Sequence, residues 1–346
     1  MKRFEFYRRR SASMVTLSAV AFALVIVSSL GVPAHAGTVT FGSGANQFNM
    51  EFVTIGNPGN AADTDANALP LNAGAVGYTY DIGKFEVSEG MIAKYNANFG
   101  TANGLVISTT TRGPDKPAAA ITWNEAARFV NWLNTSTGNQ PAYKFGVGSD
   151  INANIDLWAP GEAGYDSSNR YRNSLAKYFL PNSNEWYKAA YYNPSNSTYY
   201  DFANGSDTAP LSVTGGTSDN TAVYQADDLS FTQTGPADVT NAGGLSPYGV
   251  MGLNGNIREW EESSFDLLNS AGSSNRARRG GSFGSFSFDL KSSSRITGAP
   301  NNTGNITGFR VAGLPSSAPV PEPTSMAIFG LGAMGMAYRA RRRIKA

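Results

Sequence analysis

Apolar residues recur at helical spacing in two places, and a start signal precedes each of them. Thr122 stands three residues before Glu125, and Asn182 stands three residues before Glu185. Each pair forms a capping box, in which each side chain accepts the backbone N–H of the other residue. We therefore predict helices that begin at residues 123 and 183, the second ending before Pro194. The apolar positions are Ala126, Phe129, Val130, Trp132 and Leu133 in the first helix, and Trp186, Ala189 and Ala190 in the second.

The chain around these helices consists of short β-type runs, such as residues 78–87, joined by connections rich in Gly, Asn, Ser and Thr. A further helix is predicted after Ser88. The connections over residues 134–173 and 193–244 are longer than simple hairpins need. Residues 37–315 are long enough to bury a core of their own, so we expect one large, loop-rich domain.

Two residue types that often carry chemistry are missing from this domain. The chain has no cysteine, and its one histidine is His35. Disulfides, copper, zinc or haem sites with Cys or His ligands, and Ser-His-Asp or Cys-His catalysis are therefore excluded from residues 37–346. A bound metal should have oxygen ligands, which favours calcium.

The formal net charge of +1 conceals an acidic middle region. The whole chain has 27 basic and 26 acidic residues. Residues 1–36 and the tail from Val320 onward together hold ten of the basic and two of the acidic residues, which leaves 17 basic and 24 acidic residues in the middle region. The middle region therefore has a net charge of −7. Because such a surface repels phosphates, we expect no nucleic acid as a partner.

Residues 1–36 have the three parts of a secretory signal peptide. Basic residues come first, an apolar run extends from Met14 to Val32, and the small-residue site Ala34-His35-Ala36 follows. We expect export through the Sec translocon and cleavage before Gly37. An uncleaved membrane anchor is the alternative.

The C-terminus also has three parts. A linker with a Pro-Glu-Pro tag spans residues 316–323, a short transmembrane segment is predicted over residues 324–338, and a basic cytoplasmic tail covers residues 339–346. The apolar segment is shorter than the roughly 20 residues of a comfortable membrane-spanning helix. The residues that carry the signal are Pro321, Glu322, Pro323, Arg341, Arg342 and Arg343.

This tail resembles the PEP-CTERM sorting signal, which exosortase-type enzymes recognise and process in Gram-negative bacteria. The resemblance implies an exported protein that the C-terminus anchors in the membrane transiently, before it is sorted to the cell envelope or the extracellular space. An ordinary short anchor is the alternative.

The middle region contains motifs whose order resembles the formylglycine-generating-enzyme, or sulfatase-modifying-factor, domain over nearly all of residues 50–314. The family implies an α+β single domain with little regular secondary structure, related to C-type lectin folds. The motifs include Gly83-Lys84-Phe85-Glu86-Val87, Leu180-Pro181-Asn182-Ser183-Asn184-Glu185-Trp186, Gly255-Asn256-Ile257-Arg258-Glu259-Trp260, Arg279-Gly280-Gly281-Ser282-Phe283 and Gly308-Phe309-Arg310.

The resemblance does not extend to the redox centre of the family. Active members oxidise a substrate cysteine with a copper ion held by two cysteines, whose positions fall near Ser285 and Leu290 here. A hydroxyl and an alkyl chain cannot replace two thiolates around soft copper(I). A sister branch uses iron held by histidines, which residues 37–346 lack. We therefore predict a member without the enzymatic activity.

The resemblance also implies a calcium site, formed by backbone carbonyls and a glutamate at Gly255, Ile257 and Glu259. Oxygen ligands of this kind suit a hard cation. Gly252 stands where the family has Asp or Asn, so one side-chain ligand is missing. A loop held by ordinary hydrogen bonds is the alternative.

We expect a ligand-binding or structural module whose ligand is a glycan or an envelope protein. Trp260, Phe283 and Ser285 are the candidate ligand surface, and packing in the core is the alternative for the aromatic rings. The alternative function is a carboxylate-based, glycan-active hydrolase that uses the acidic cluster Glu259, Glu261 and Glu262.

Overall fold

The computed structural model describes residues 37–148 and 150–315. The signal peptide predicted over residues 1–36 and the sorting tail predicted over residues 316–346 lie outside these ranges. Within them, no helix is both long enough and apolar enough to cross a membrane.

The predicted helix starts are confirmed. Thr122 Oγ1 accepts from the backbone N–H of Glu125 at 3.0 Å, and Asn182 Oδ1 accepts from that of Glu185 at 2.9 Å. Both capping boxes are complete. The helices are α1 (Glu89–Tyr95), α2 (Thr101–Asn103), α3 (Trp123–Ser136) and α4 (Ser183–Tyr191), with a π-helical turn at Asn96–Gly100 and 3-10 turns at Gly44–Asn46 and Ser287–Leu290.

Fifteen strands, most of them very short, make up the rest of the regular structure in the described part of the chain. Of the predicted β-type run over residues 78–87, only the four residues of β3 form a strand, because the chain then leaves the sheet toward α1. The strands are β1 (Gly37–Phe41), β2 (Phe48–Ile55), β3 (Tyr80–Gly83), β4 (Lys144–Phe145), β5 (Ile155–Asp156), β6 (Tyr178–Phe179), β7 (Tyr192–Asn193), β8 (Thr198–Tyr199), β9 (Leu211–Ser212), β10 (Thr221–Ala222), β11 (Arg258–Ser264), β12 (Arg276–Arg279), β13 (Ile296–Gly298), β14 (Thr307–Gly308) and β15 (Ala312–Gly313).

Two sheets organise the domain. The first is antiparallel throughout and has the order β1-β2-β3-β15-β6. The second has the order β13-β12-β11-β14, in which β14 runs parallel to β11. Three two-stranded ribbons, β4-β5, β7-β8 and β9-β10, lie in the long connections. The fold is therefore mixed α+β, as expected, with few helices.

Aromatic side chains fill the core between the sheets and the helices. On α3, Phe129 and Trp132 pack against Phe48 of β2 and Tyr95 of α1, with ring centroids 5.5–6.3 Å apart. Trp123, Trp186 and Trp260 are fully buried. This rigid frame holds β11, the strand that carries the acidic cluster, in the interior of the domain.

Candidate functional site

The two positions that correspond to the copper-binding cysteines lie side by side. After β12 the chain turns through Gly280 and Gly281, which both have positive φ (86° and 68°), and returns to the 3-10 turn at Ser287–Leu290. A Cβ on Gly281 would lie 2.7 Å from Leu290 Cδ1 and 3.4 Å from Ser285 Cβ. Both side chains therefore border the same glycine, and both are buried.

The groups around Ser285 are hydroxyls and one ion pair. Ser285 Oγ lies 3.3 Å from Ser282 Oγ and accepts a hydrogen bond from Arg258 Nη2 at 3.2 Å. Arg258 in turn lies 3.6 Å from Asp289 Oδ2. This donor set has no soft ligand, so it does not fit a copper(I) ion.

Glu259, the predicted calcium ligand, is fully buried and pairs with Arg310. Arg310 Nε lies 2.6 Å from Oε2 of Glu259, and Arg310 Nη2 lies 2.5 Å from Oε1. Trp186 Nε1 also donates to Oε2, at 2.7 Å. A calcium ion needs six to eight oxygen ligands, and this carboxylate is already shared between a guanidinium and an indole. The predicted role of Glu259 therefore fits its surroundings poorly.

The loop that contains Gly255 and Ile257 is held by the buried carboxylate of Glu86. Its Oε2 accepts from Asn256 Nδ2 at 2.6 Å, and its Oε1 accepts from the backbone N–H of Ile257 at 3.1 Å. Burial of the carboxyl raises the pKa of Glu86 well above its usual range, and the nearby negative charge of Glu259 is the second cause of this increase. These contacts support the alternative of an ordinary hydrogen-bonded loop, and calcium binding stays a prediction.

The acidic cluster on β11 is not exposed to solvent. Glu261 pairs with Arg279 at 2.6 Å and with Arg295 at 3.2 Å, and Glu262 pairs with Arg172 at 2.7 Å. Burial alone would raise the pKa of Glu261, but Arg279 and Arg295 bring it below its usual value. Because successive side chains of a strand point to opposite faces, the two glutamates reach different arginines.

These ion pairs leave the hydrolase alternative without support. Glu259, Glu261 and Glu262 are fully buried, and each carboxylate already accepts hydrogen bonds from an arginine. A general acid or base must come within hydrogen-bond reach of the substrate. All three carboxylates are buried and already hydrogen-bonded within the protein, so we assign the cluster to the core.

Two of the three residues of the candidate ligand surface are buried. Trp260 is fully buried, and its Nε1 donates to the carbonyl of Ile121 at 2.9 Å. A ring in the core cannot stack on a ligand. Ser285 is buried as well, whereas Phe283 is half-buried and lies under the guanidinium of Arg112, 5.3 Å from the ring centroid.

Two further phenylalanines follow Phe283 in the same loop. Phe286 and Phe288 are stacked with their ring centroids 6.1 Å apart, and Phe288 is 62% exposed. We call Arg112, Phe283, Phe286 and Phe288 the aromatic patch. It borders the position of the missing copper ligands.

Comparison with known proteins places the chain among its relatives. A family model described as "Sulfatase-modifying factor enzyme 1-like domain" matches residues 35–313. The chain belongs to this sulfatase-modifying factor family. A second model, described as "PEP-CTERM protein-sorting motif", matches residues 319–343 and supports export and sorting to the envelope. No curated protein sequence matches the chain.

Solved structures of the sulfatase-modifying factor type share the fold. Variable protein 1 of Treponema denticola superposes with a TM-score of 0.52 at 20% identity, covering 81% of this chain and 99% of its own. CarF superposes with a TM-score of 0.55 at 20% identity, and the match covers 77% of this chain and 99% of CarF. At this identity the likeness shows the fold alone. The relation to C-type lectins stays a prediction.

Three residues that organise this member of the family have no role predicted from the sequence. Arg310 neutralises Glu259, Glu86 anchors the loop before β11, and Arg172 joins Glu262 to Glu185. Glu86 lies between Phe85 and Val87, and Arg310 lies between Phe309 and Val311. A charged residue with apolar neighbours on both sides is rarely buried unless it has a polar partner. This pattern indicates buried polar contacts without identifying the partners.

Proposed function

We propose that this protein is an exported, exosortase-processed module that binds a ligand at the cell envelope and does not oxidise cysteine. One observation carries the proposal. The two side chains that border Gly281 are a hydroxyl and an isobutyl group, at Ser285 and Leu290. Without a thiolate pair the domain keeps the fold of the family but not the means to hold its copper.

The aromatic patch supports the binding part of the proposal. It consists of the exposed ring of Phe288, the half-buried rings of Phe283 and Phe286 in the loop that contains Ser285, and the guanidinium of Arg112 over Phe283. Aromatic and arginine side chains are enriched in the binding surfaces of proteins because they bury large areas at a small cost in conformational entropy. A glycan or an envelope protein is the expected ligand.

The enzymatic part is tested by incubating the full chain with copper and a peptide that contains a sulfatase cysteine motif. We expect the peptide mass to stay unchanged and no copper to remain bound after gel filtration. Conversion of the thiol to an aldehyde, together with stoichiometric copper, would overturn the proposal.

The binding part is tested by pull-down from envelope extracts with the full chain and with Phe288→Ala. We expect this substitution to lower the recovery of the bound partner, because it removes the most exposed ring of the patch. Val147→Ala, at an exposed residue outside the patch, serves as the matched control. Equal recovery with both variants would contradict a role for the patch.

Sorting is tested by mass spectrometry of the protein isolated from its own cells. We expect a mature chain that begins at Gly37 and ends near Pro323. A chain that retains Arg341, Arg342 and Arg343 in the membrane fraction would contradict exosortase processing.

A further inference from the structure

A cavity of about 470 Å³ lies apart from the aromatic patch. It is formed by the segment before β3, the loop before β6, the start of α4 and the loop after β11. Its lining includes none of the residues between Gly280 and Leu290. The volume falls in the range of roughly 300–1,000 Å³ that is typical of small-molecule sites.

The polar wall of the cavity is held rigidly by Arg172. Its guanidinium donates to Glu185 Oε1 and Oε2, each at 2.8 Å, and to Glu262 Oε2 at 2.7 Å. It also lies 3.6 Å from the ring centroid of Phe179. Tyr78 Oη donates to the same Glu185 at 2.5 Å. A wall that is fixed in advance loses little entropy when a ligand binds.

Two amide groups at the start of α4 retain hydrogen-bonding capacity toward this cavity. Asn182 Oδ1 caps the helix and Asn184 Oδ1 accepts from the backbone N–H of Gly74 at 3.0 Å. These bonds fix both side chains, yet neither Nδ2 has an acceptor among the described residues. Asp166 adds a carboxylate to the lining. The cavity thus offers fixed donors and an acceptor to a ligand rich in hydroxyl groups.

The charge of the lining disfavours anions. Arg172 is shared by two carboxylates, Glu185 and Glu262, so its positive charge is already countered within the protein. Asp166 adds a carboxylate to the lining, and the pKa of its carboxyl is lowered by hydrogen bonds from Ser168. A phosphate or a uronate would be repelled by these groups.

Part of the exposed lining of the cavity is apolar. Tyr78, Leu267 and Leu314 line it and remain 43%, 45% and 42% exposed. An aromatic ring and aliphatic side chains beside fixed polar groups match the two kinds of surface of a sugar ring, its C–H face and its hydroxyl edge.

We propose that this cavity binds an uncharged saccharide of one or two rings. The hydroxyls contact Asn182, Asn184 and Asp166, and the C–H face of a ring packs on Tyr78. This site lies outside the aromatic patch of the proposed function, so either can fail while the other stands.

The test is binding of the full chain to an array of neutral, amino and acidic oligosaccharides, followed by calorimetry with the strongest neutral disaccharide. We expect neutral sugars to bind better than their uronic acid counterparts. Asn184→Ala should weaken binding about three- to tenfold, the effect of one hydrogen bond. Asp166→Asn removes a carboxylate from the lining, so the ratio of the affinities for neutral and acidic sugars should decrease.

Ala75→Trp provides a variant that blocks the cavity without disturbing the core, because Ala75 is an exposed residue of the lining. We expect it to abolish saccharide binding. Ala97→Trp places the same side chain at an exposed alanine outside the lining and should leave binding unchanged.

Three results would overturn the inference. They are the absence of binding to every neutral saccharide, a preference for acidic or amino sugars, and full binding by Ala75→Trp. If Phe288→Ala removes the sugar binding that Ala75→Trp retains, the ligand occupies the aromatic patch. The proposed function would then stand and the cavity would not be the site.

Discussion

Arg310 and Glu259 form a bidentate ion pair in the interior of the domain, with Nε–Oε2 and Nη2–Oε1 distances of 2.6 and 2.5 Å. The remaining donors of Arg310 reach the carbonyls of Gly83 at 2.8 Å and Met251 at 2.9 Å. One side chain thus ties the end of β3, the loop before β11 and β11 itself together. Neither partner is exposed to solvent.

Glu259→Gln should destabilise the domain strongly. The substitution leaves the Arg310 charge buried without a counter-charge, and breaking a buried pair in this way costs about 3–5 kcal/mol. Urea denaturation followed by circular dichroism measures the change in the free energy of unfolding. Glu51→Gln, which breaks the exposed pair with Lys84, is the matched control and should cost less than about 1 kcal/mol. Equal effects of the two substitutions would contradict the prediction.

Chelation of calcium should not destabilise the domain through the Gly255–Glu259 loop. Glu259 is paired with Arg310, and Glu86 holds the loop by hydrogen bonds. We expect the same Tm for the full chain with calcium and with a chelator. Magnesium at equal ionic strength serves as the control. One equivalent of bound calcium, with a lower Tm after chelation, would restore the metal site.

The stability of the protein should show a pH dependence that comes from Glu86. Burial and the neighbouring Glu259 raise the pKa of this carboxyl in the folded state. Above the usual pKa of about 4.3, the folded protein therefore retains a proton that the unfolded chain has released. The stability contribution of Glu86 is complete below that pH and is lost as pH rises toward the raised pKa.

Glu86→Gln removes this titration. The free energy of unfolding of the variant, relative to the parent protein, should therefore increase as pH rises from about 4 to 8. Denaturation curves of both proteins across this range measure the difference. A difference that stays constant, or that moves in the opposite direction, would contradict a raised pKa.

The double substitution Ser285→Cys/Leu290→Cys should create a copper(I) site. Both positions border Gly281, so two thiolates would face the same space, and soft ligands of this kind select copper(I). We expect one copper per chain in the double variant. Loss of the buried leucine should cost about 2 kcal/mol, which urea denaturation would record.

The parent protein and the two single variants are the controls for copper binding. One thiolate alone should not retain the ion through gel filtration. Equal copper in the single and double variants would show that the two positions do not act together.

The local features of this protein follow from its sequence. The capping boxes at Thr122 and Asn182 involve residues three positions apart, so their partners are visible in the sequence, and both helices begin there. The order of the motifs was sufficient to indicate the family and its α+β fold. The expectation that the copper ligands of the family would fall near Ser285 and Leu290 comes from the resemblance, by counting from the Arg279-Gly280-Gly281 motif, and it stays a prediction.

The environment of β11 depends on the tertiary structure. Its acidic residues look like solvated or metal-binding groups in the sequence, and Trp260 looks available for stacking. Their real neighbours are distant: Arg172 lies 90 residues from Glu262, and Arg310 lies 51 residues from Glu259. Hydrophobic periodicity reports only on neighbours within one helix or strand. Which charges are buried together, and which surfaces stay open to a ligand, is decided when distant segments pack.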